Sequence, residues 1–305
     1  MNKAFTPFDY DQLLSFVENQ LEVWPLAKQN YDALGKTERK LINLGGYEMA
    51  VQHNPARVIS TAAKVKDGIV EKRPCFLCGE NRPEEQIALE ILPGWKFLVN
   101  PYPIFPLHFT IVAGQHQPQA RVPEDIVKWA EILPGMTVFY NGASAGASAP
   151  DHLHMQAVLK EELPLLNLVE KAHPAAQPGL KFSADLGFDF PFYFFSGVIE
   201  KTGGGLTTMM AGLNLGGKNG QGRYSDPSLV NTFFWLDSEN VLRYVAIPRK
   251  AHRPSCFFAE GDSKILVSPG AIDMAGVIIT PREEDFDKIT AEDISKIYSE
   301  VAYNE

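Results

Sequence analysis

The segment P-D-H-L-H-M-Q-A-V, residues 150–158, places His152, His154 and Gln156 at every second position. In an extended chain alternate side chains leave on one side, so two imidazoles and a carboxamide would share a face at steps of roughly 6–7 Å. A neutral imidazole, with an unperturbed pKa near 6.5, can act as a nucleophile or as a metal ligand. A carboxamide can donate hydrogen bonds to an anion without adding charge. A solvated strand face alternates in the same way, but Thr, Ser or Lys usually fill its polar positions. The second chemical group is the C-x-x-C pair Cys75 and Cys78, inside the turn-rich stretch R-P-C-F-L-C-G-E-N-R-P at 73–83. It reads as a zinc half-site, a redox pair or two metal-free thiols. Zinc takes four nitrogen and sulfur ligands, so the pair needs two histidines from elsewhere. His116 and His152 are the candidates, with His108 as the alternative. No thioredoxin-like βαβ context surrounds the pair to favour the redox reading.

Immediately before the histidine stripe runs G-A-S-A-G-A-S-A, residues 142–149. Its small side chains, Gly146 and Ser148 among them, would let backbone amides approach and cradle a phosphate. Asn141, just ahead of the loop, can hydrogen-bond a phosphoryl oxygen or orient the loop. Anionic substrates require cations, and Arg57 and Arg73 lie near these segments. A histidine that takes up a phosphoryl-linked group would divide one difficult transfer into two easier ones.

These residues must be positioned by an α+β arrangement. Residues 9–35 have helical spacing interrupted near Pro25, and 124–133 is an amphipathic helix. Residues 96–103, 108–114, 136–141 and 152–159 are rich in β-branched and aromatic residues and read as strands; 53–65 reads as extended. The second half looks like a faded copy of the first. Residues 241–254 repeat the strand, turn, histidine and proline of 108–118, and 274–286 falls where a copy of the histidine strand would lie, without its histidines. The expected architecture is therefore an antiparallel sheet with flanking helices, duplicated, with a catalytic half at 1–165 and a degenerate half at 166–305. G-L-N-L-G-G-K-N, 212–219, is one residue short of a P-loop, carrying Asn219 where magnesium binding requires Ser or Thr. It is read as a glycine-rich loop. His252 is read as a vestige of the duplicated unit, and Arg249, Lys250 and Arg253 as a solvated turn, with phosphate binding as the alternative.

H-x-H-x-Q after a small-residue loop resembles the histidine-triad (HIT-like) superfamily. It is closest to the branch of galactose-1-phosphate uridylyltransferase, diadenosine tetraphosphate phosphorylase and the GDP-hexose phosphorylases, in which glutamine replaces the third histidine. The resemblance covers roughly 73–160 and implies two HIT-like halves. It implies that His154 attacks the α-phosphorus and carries a nucleotidyl group, that Gln156 holds that phosphate, and that Asn141, 11 residues before His152, is the branch asparagine. It assigns a structural zinc to Cys75, Cys78, His116 and His152. One departure is visible: the relatives carry serine three residues before the first histidine, where this chain has Ala149, with Ser148 one position earlier. The implied substrate is a nucleotide, as a nucleotide sugar or dinucleoside polyphosphate, with phosphate or a sugar phosphate as acceptor. A nucleotide hydrolase and a catalytically inactive zinc-stabilised nucleotide-binding protein are the alternatives.

The bulk properties are compatible with this. The chain has 305 residues, a net charge of -9 and 45% hydrophobic residues. That acidity disfavours nucleic acid and anionic membranes, both of which reward a basic surface. No run of 18 apolar residues and no apolar leader is visible. Three cysteines do not make a disulfide framework, so a cytoplasmic setting is expected, and a homodimer is an assembly open to the chain.

Overall fold

The computed structural model describes residues 7–61, 73–173, 181–183, 190, 192–198 and 228–303. The glycine-rich segment 212–219 lies outside them. Two helices open the fold, α1 (Tyr10–Val23) and α2 (Pro25–Leu34). Asp9 and Gln12 close a reciprocal capping box at the start of α1, and Pro25 begins α2 at the position where its missing N–H costs nothing. The expected break near Pro25 is thus a helix boundary. Next come β1 (Glu38–Asn43), β2 (Glu48–His53), β3 (Ala88–Leu89), β4 (Trp95–Val99) and β5 (His108–Ala113). They are followed by α3 (Ile126–Ile132), β6 (Met136–Asn141), β7 (His154–Leu159) and α4 (Pro164–Ala172). The remaining elements are β8 (Lys181–Ser183), β9 (Phe192–Val198), β10 (Val230–Leu236), β11 (Val241–Pro248), α5 (Ala271–Met274), β12 (Val277–Thr280), α6 (Glu283–Lys288) and α7 (Ala291–Val301).

Nine strands form one antiparallel sheet in the order β3-β4-β5-β7-β6-β10-β11-β9-β8. The α+β class and the large antiparallel sheet with flanking helices are as expected. The strand runs predicted at 96–103, 108–114, 136–141 and 241–254 become β4, β5, β6 and β11. Each central strand is buried on both faces, because each face carries its own apolar layer. Phe97, Phe109, Ile111, Val138, Met155, Phe234 and Tyr244 pack under α1 and α3. Phe139, Val158, Phe233, Trp235 and Val245 face α4, α7 and β2. Both layers draw residues from either side of position 165. The first is a ring stack: Phe97 lies 4.7 Å from Phe109 and 5.7 Å from both Phe16 and Trp129, centroid to centroid.

Three expectations change. Residues 55–61 are helical instead of extended, because Pro55 fixes a helix-compatible φ at a first helical position. Residues 277–280, inside the segment read as a copy of the histidine strand, lie outside the large sheet. They form β12, which pairs in parallel with β2 in a separate sheet of order β1-β2-β12. The histidine strand begins at His154 and not at His152, since the His152 amide closes a turn onto the Ala149 carbonyl. Among the described residues, no helix is long and apolar enough to cross a membrane.

The ring stack gives a direct test of this packing. Phe97→Ala, at the centre of the stack, is expected to lower unfolding free energy by about 3–5 kcal/mol, read from urea titrations.

Candidate active site

Strand β7 presents His154, Gln156 and Val158 to one face and Met155 and Ala157 to the apolar layer under α1 and α3. His154 is buried, at 2% exposure. Its Nδ1 lies 2.8 Å from the His152 carbonyl, which can only accept, so this nitrogen carries the proton. Nε2 is buried and has no hydrogen-bond partner among the described residues. Burial pushes the imidazole pKa down to about 4, with the His152 carbonyl partly opposing that fall. The ring is neutral at pH 7, with its lone pair on the unpartnered nitrogen.

Gln156 is oriented from the neighbouring strand. The Ile104 amide donates to His108 Nδ1 at 3.1 Å, so the proton sits on His108 Nε2, which donates to Gln156 Oε1 at 2.8 Å. Asn100 Nδ2 adds a longer contact to the same oxygen at 3.4 Å. Consequently the NH₂ group of Gln156 is left to face the site. His108 is held neutral, its pKa pushed to about 3 by burial and then by the charge of Arg57. Both ring nitrogens of His108 are engaged, by the Ile104 amide and by Gln156, and the residue stands apart from the cluster of Cys75, Cys78, His116 and His152.

The loop that carries Ile104 is itself clamped. Four successive carbonyls, of Pro101, Tyr102, Pro103 and Ile104, accept from Asn30, Arg57, Asn54 and Gln52. Arg57 thus binds the Tyr102 carbonyl at 2.6 Å, beside His108 and the buried Asp273. Asp273 has its carboxyl raised to about 6 by burial, an effect offset in part by the amides of Ile279 and Gly270 and by Arg57.

Asn141, at the end of β6, uses Oδ1 to accept from Asn231 Nδ2 at 2.8 Å and from the Ala271 amide at 2.7 Å. Its Nδ2 takes no partner among the described residues. The loop that follows is bound closely to the C-terminal segment. Gly146 has φ +96°, and a Cβ there would stand 2.7 Å from the Gly270 Cα, so only glycine fits. Asn231 Nδ2 also donates to the Ala145 carbonyl at 2.7 Å, and Arg249 donates to Asn231 Oδ1. Ser148 is exposed, and its carbonyl accepts from Arg73, whose guanidinium lies over Phe76. Arg73 therefore ties the C-x-x-C turn to the loop.

Cys75, Cys78, His116 and His152 converge. One ligand atom from each lies within 4.8 Å of the others. His152 Nδ1 is 3.3 Å from Cys75 Sγ, and His116 Nδ1 is 3.2 Å from Cys78 Sγ. His152 Nε2 is 2.8 Å from the Ala113 carbonyl, which fixes the tautomer that points Nδ1 at the sulfurs. Two thiols and two imidazoles with one ring oriented by a carbonyl suit a tetrahedral N₂S₂ metal site. The cysteines do not form a disulfide.

The structure also supplies residues that the sequence reading passed over. Asn231 is the second residue of β10, in the half read as degenerate. Gln119 is almost fully buried, and its carboxamide contacts Asn141 and His154. Neither stands in a recognisable motif; only tertiary pairing brings them to the site.

Residues 16–159 match a family model described as a domain of unknown function, DUF4922. Protein APA1 of Saccharomyces cerevisiae is 30% identical over 100 residues, which span 27% of this chain and 30% of that relative. The yeast Ap4A phosphorylase Apa2 superposes with a TM-score of 0.60 at 15% identity, covering 92% of this chain and 96% of that one. Its complex with Ap4A gives 0.64 at 15% identity over 95% and 97%. The likeness in fold extends over almost the whole of both chains, well beyond the motif region.

Two buried imidazoles and one half-buried one shape the acid response. The pKa values of His108, His154 and His252 are pushed down to about 3, 4 and 4, chiefly by burial. Below the unfolded value near 6.5 the unfolded chain therefore binds more protons than the native one. Their contribution to stability is complete above that pH and is lost as the pH falls toward the native values. Urea midpoints should fall steadily on acidification through this window, and His252→Gln should make the fall shallower.

Proposed function

We propose that this chain, which has the fold of the Ap4A phosphorylases within the histidine-triad-like proteins, transfers a nucleotidyl group through His154. The observation that carries the reading is the His154 ring, neutral and held at Nδ1, with a buried and unpartnered Nε2. In the first step Nε2 bonds to the α-phosphorus of a nucleotide pyrophosphate. The bond from that phosphorus to the bridging oxygen breaks, and the remainder departs as a phosphate-terminated product. The imidazole becomes cationic as it is phosphorylated, and the His152 carbonyl at Nδ1–H is placed to stabilise that charge. The free NH₂ of Gln156, held by His108, donates to the phosphoryl oxygens, and Asn141 Nδ2 offers a second donor. In the second step an acceptor phosphate or sugar phosphate bonds to phosphorus, the N–P bond breaks, and neutral His154 returns. Dinucleoside polyphosphates are the substrate class that the fold likeness favours.

Cys75, Cys78, His116 and His152 are proposed to hold a structural zinc. A closed four-ligand site of this kind supplies rigidity, binding the C-x-x-C turn to the residues that enter β7.

Incubation with a dinucleoside tetraphosphate radiolabelled at the α-phosphate should give acid-labile, base-stable labelled protein. His154→Ala should abolish the label, and Gln156→Ala should slow its formation about 10²-fold, as loss of one transition-state donor does. Equal labelling of His154→Ala would sink the covalent mechanism. For the metal, elemental analysis should find stoichiometric zinc in the wild type and none in the double variant Cys75→Ser, Cys78→Ser; zinc that persists there removes the pair as ligands.

A further inference from the structure

Strands β6 and β7 pair as far as Phe139 opposite Gln156. The same register carried two residues further would set Asn141 opposite His154, with their backbone groups bonded directly. They are not. The Gln119 carboxamide stands between them. Its Nε2 donates to the Asn141 carbonyl at 2.8 Å and to the His154 carbonyl at 2.9 Å, and its Oε1 accepts from the His154 amide at 2.8 Å. Both main-chain groups of His154 are thus satisfied by one side chain.

We infer that Gln119 is a positioning residue for the reacting histidine, inserted between two strands so that they part while the His154 amide, the His154 carbonyl and the Asn141 carbonyl stay bonded. Directly paired residues stand with Cα atoms about 4.5–5.5 Å apart. An interposed amide widens that gap at the one level where Asn141 and His154 must both reach a phosphoryl group. Without it, the parted strands would leave a buried amide and two buried carbonyls unsatisfied, a cost that would drive His154 to re-pair or shift. Gln119 is itself held from both sides: its amide donates to the Pro150 carbonyl at 3.0 Å, and its carbonyl accepts from Tyr140 Oη at 3.1 Å. Three residues earlier His116 points into the cysteine cluster, and between them the Gln117 carbonyl accepts the Leu153 amide. One short stretch, 116–119, therefore fixes the Cys/His cluster at one end and the His154 backbone at the other.

The role assigned to Gln119 rests on His154 as the nucleophile, so the test separates the two. Amide hydrogen exchange over 152–157 and single-turnover labelling by a dinucleoside tetraphosphate are measured for wild type, Gln119→Met and Gln119→Glu, with AMP affinity as a control. Gln119→Met is near in size and cannot make the three bonds. It should speed exchange at the His154 amide and slow labelling about 10²-fold, the cost of a displacement on the order of 1 Å, while AMP affinity stays within about threefold. Gln119→Glu keeps the acceptor for the His154 amide and should fall between the two; it decides the matter if Gln119→Met does not fold. Unchanged exchange at His154 in the variants, or labelling and AMP affinity lost in equal proportion, overturns the positioning role. If the wild type forms no label, the covalent reading fails, and exchange at His154 alone still judges Gln119.

Discussion

The hydrogen bond between His154 Nδ1 and the carbonyl of His152 governs the rest of the site. It determines which ring nitrogen holds the proton, and so leaves Nε2 as the side with a lone pair. The bond is local, spanning two residues, and it works only because the chain turns at His152 before entering the strand. That turn sends the His152 ring the other way, toward Cys75 and Cys78. One peptide unit therefore sets a tautomer on one side and brings an imidazole to the sulfurs on the other. A straight strand from His152 onward would have put both rings on one face and separated neither role.

The burial that keeps these imidazoles neutral is a product of sheet architecture. A nine-stranded antiparallel sheet covered on both faces leaves its central strands without a wet side, so polar residues on β5, β6 and β7 have to find partners within the protein. They do so as an ordered chain: Ile104 amide to His108, His108 to Gln156. Each link takes up one hydrogen-bonding group of the next and leaves the other for the link that follows. The four clamped carbonyls of the 101–104 loop make the origin of that chain rigid.

Much of this was legible in the sequence where local spacing carries the information. Alternation at 154–156, the C-x-x-C turn, the small-residue loop and the strand runs each correspond to a structural feature at those positions. The four ligands named from the resemblance, Cys75, Cys78, His116 and His152, are found side by side. What could not be read depends on contacts remote in sequence. Pro55 starts a helix where an extended run was expected, since a proline at a first helical position and one in an extended segment look alike. Residues 277–280 have the composition of a large-sheet strand and pair elsewhere, because composition does not choose a partner. Gln119 and Asn231 act through amide groups with no motif around them, so nothing nearby marks them.

The contact between Gly146 and Gly270, with the neighbouring bond from the Ala271 amide to Asn141, joins positions more than a hundred residues apart. Every residue of the histidine strand, the cysteine turn and the small-residue loop is made before Gly270 leaves the ribosome. During synthesis the nascent chain thus carries all its motif residues while Asn141 and the loop still lack the backbone they rest on. Asn141 and the loop therefore gain those contacts only once the C-terminal segment is in place.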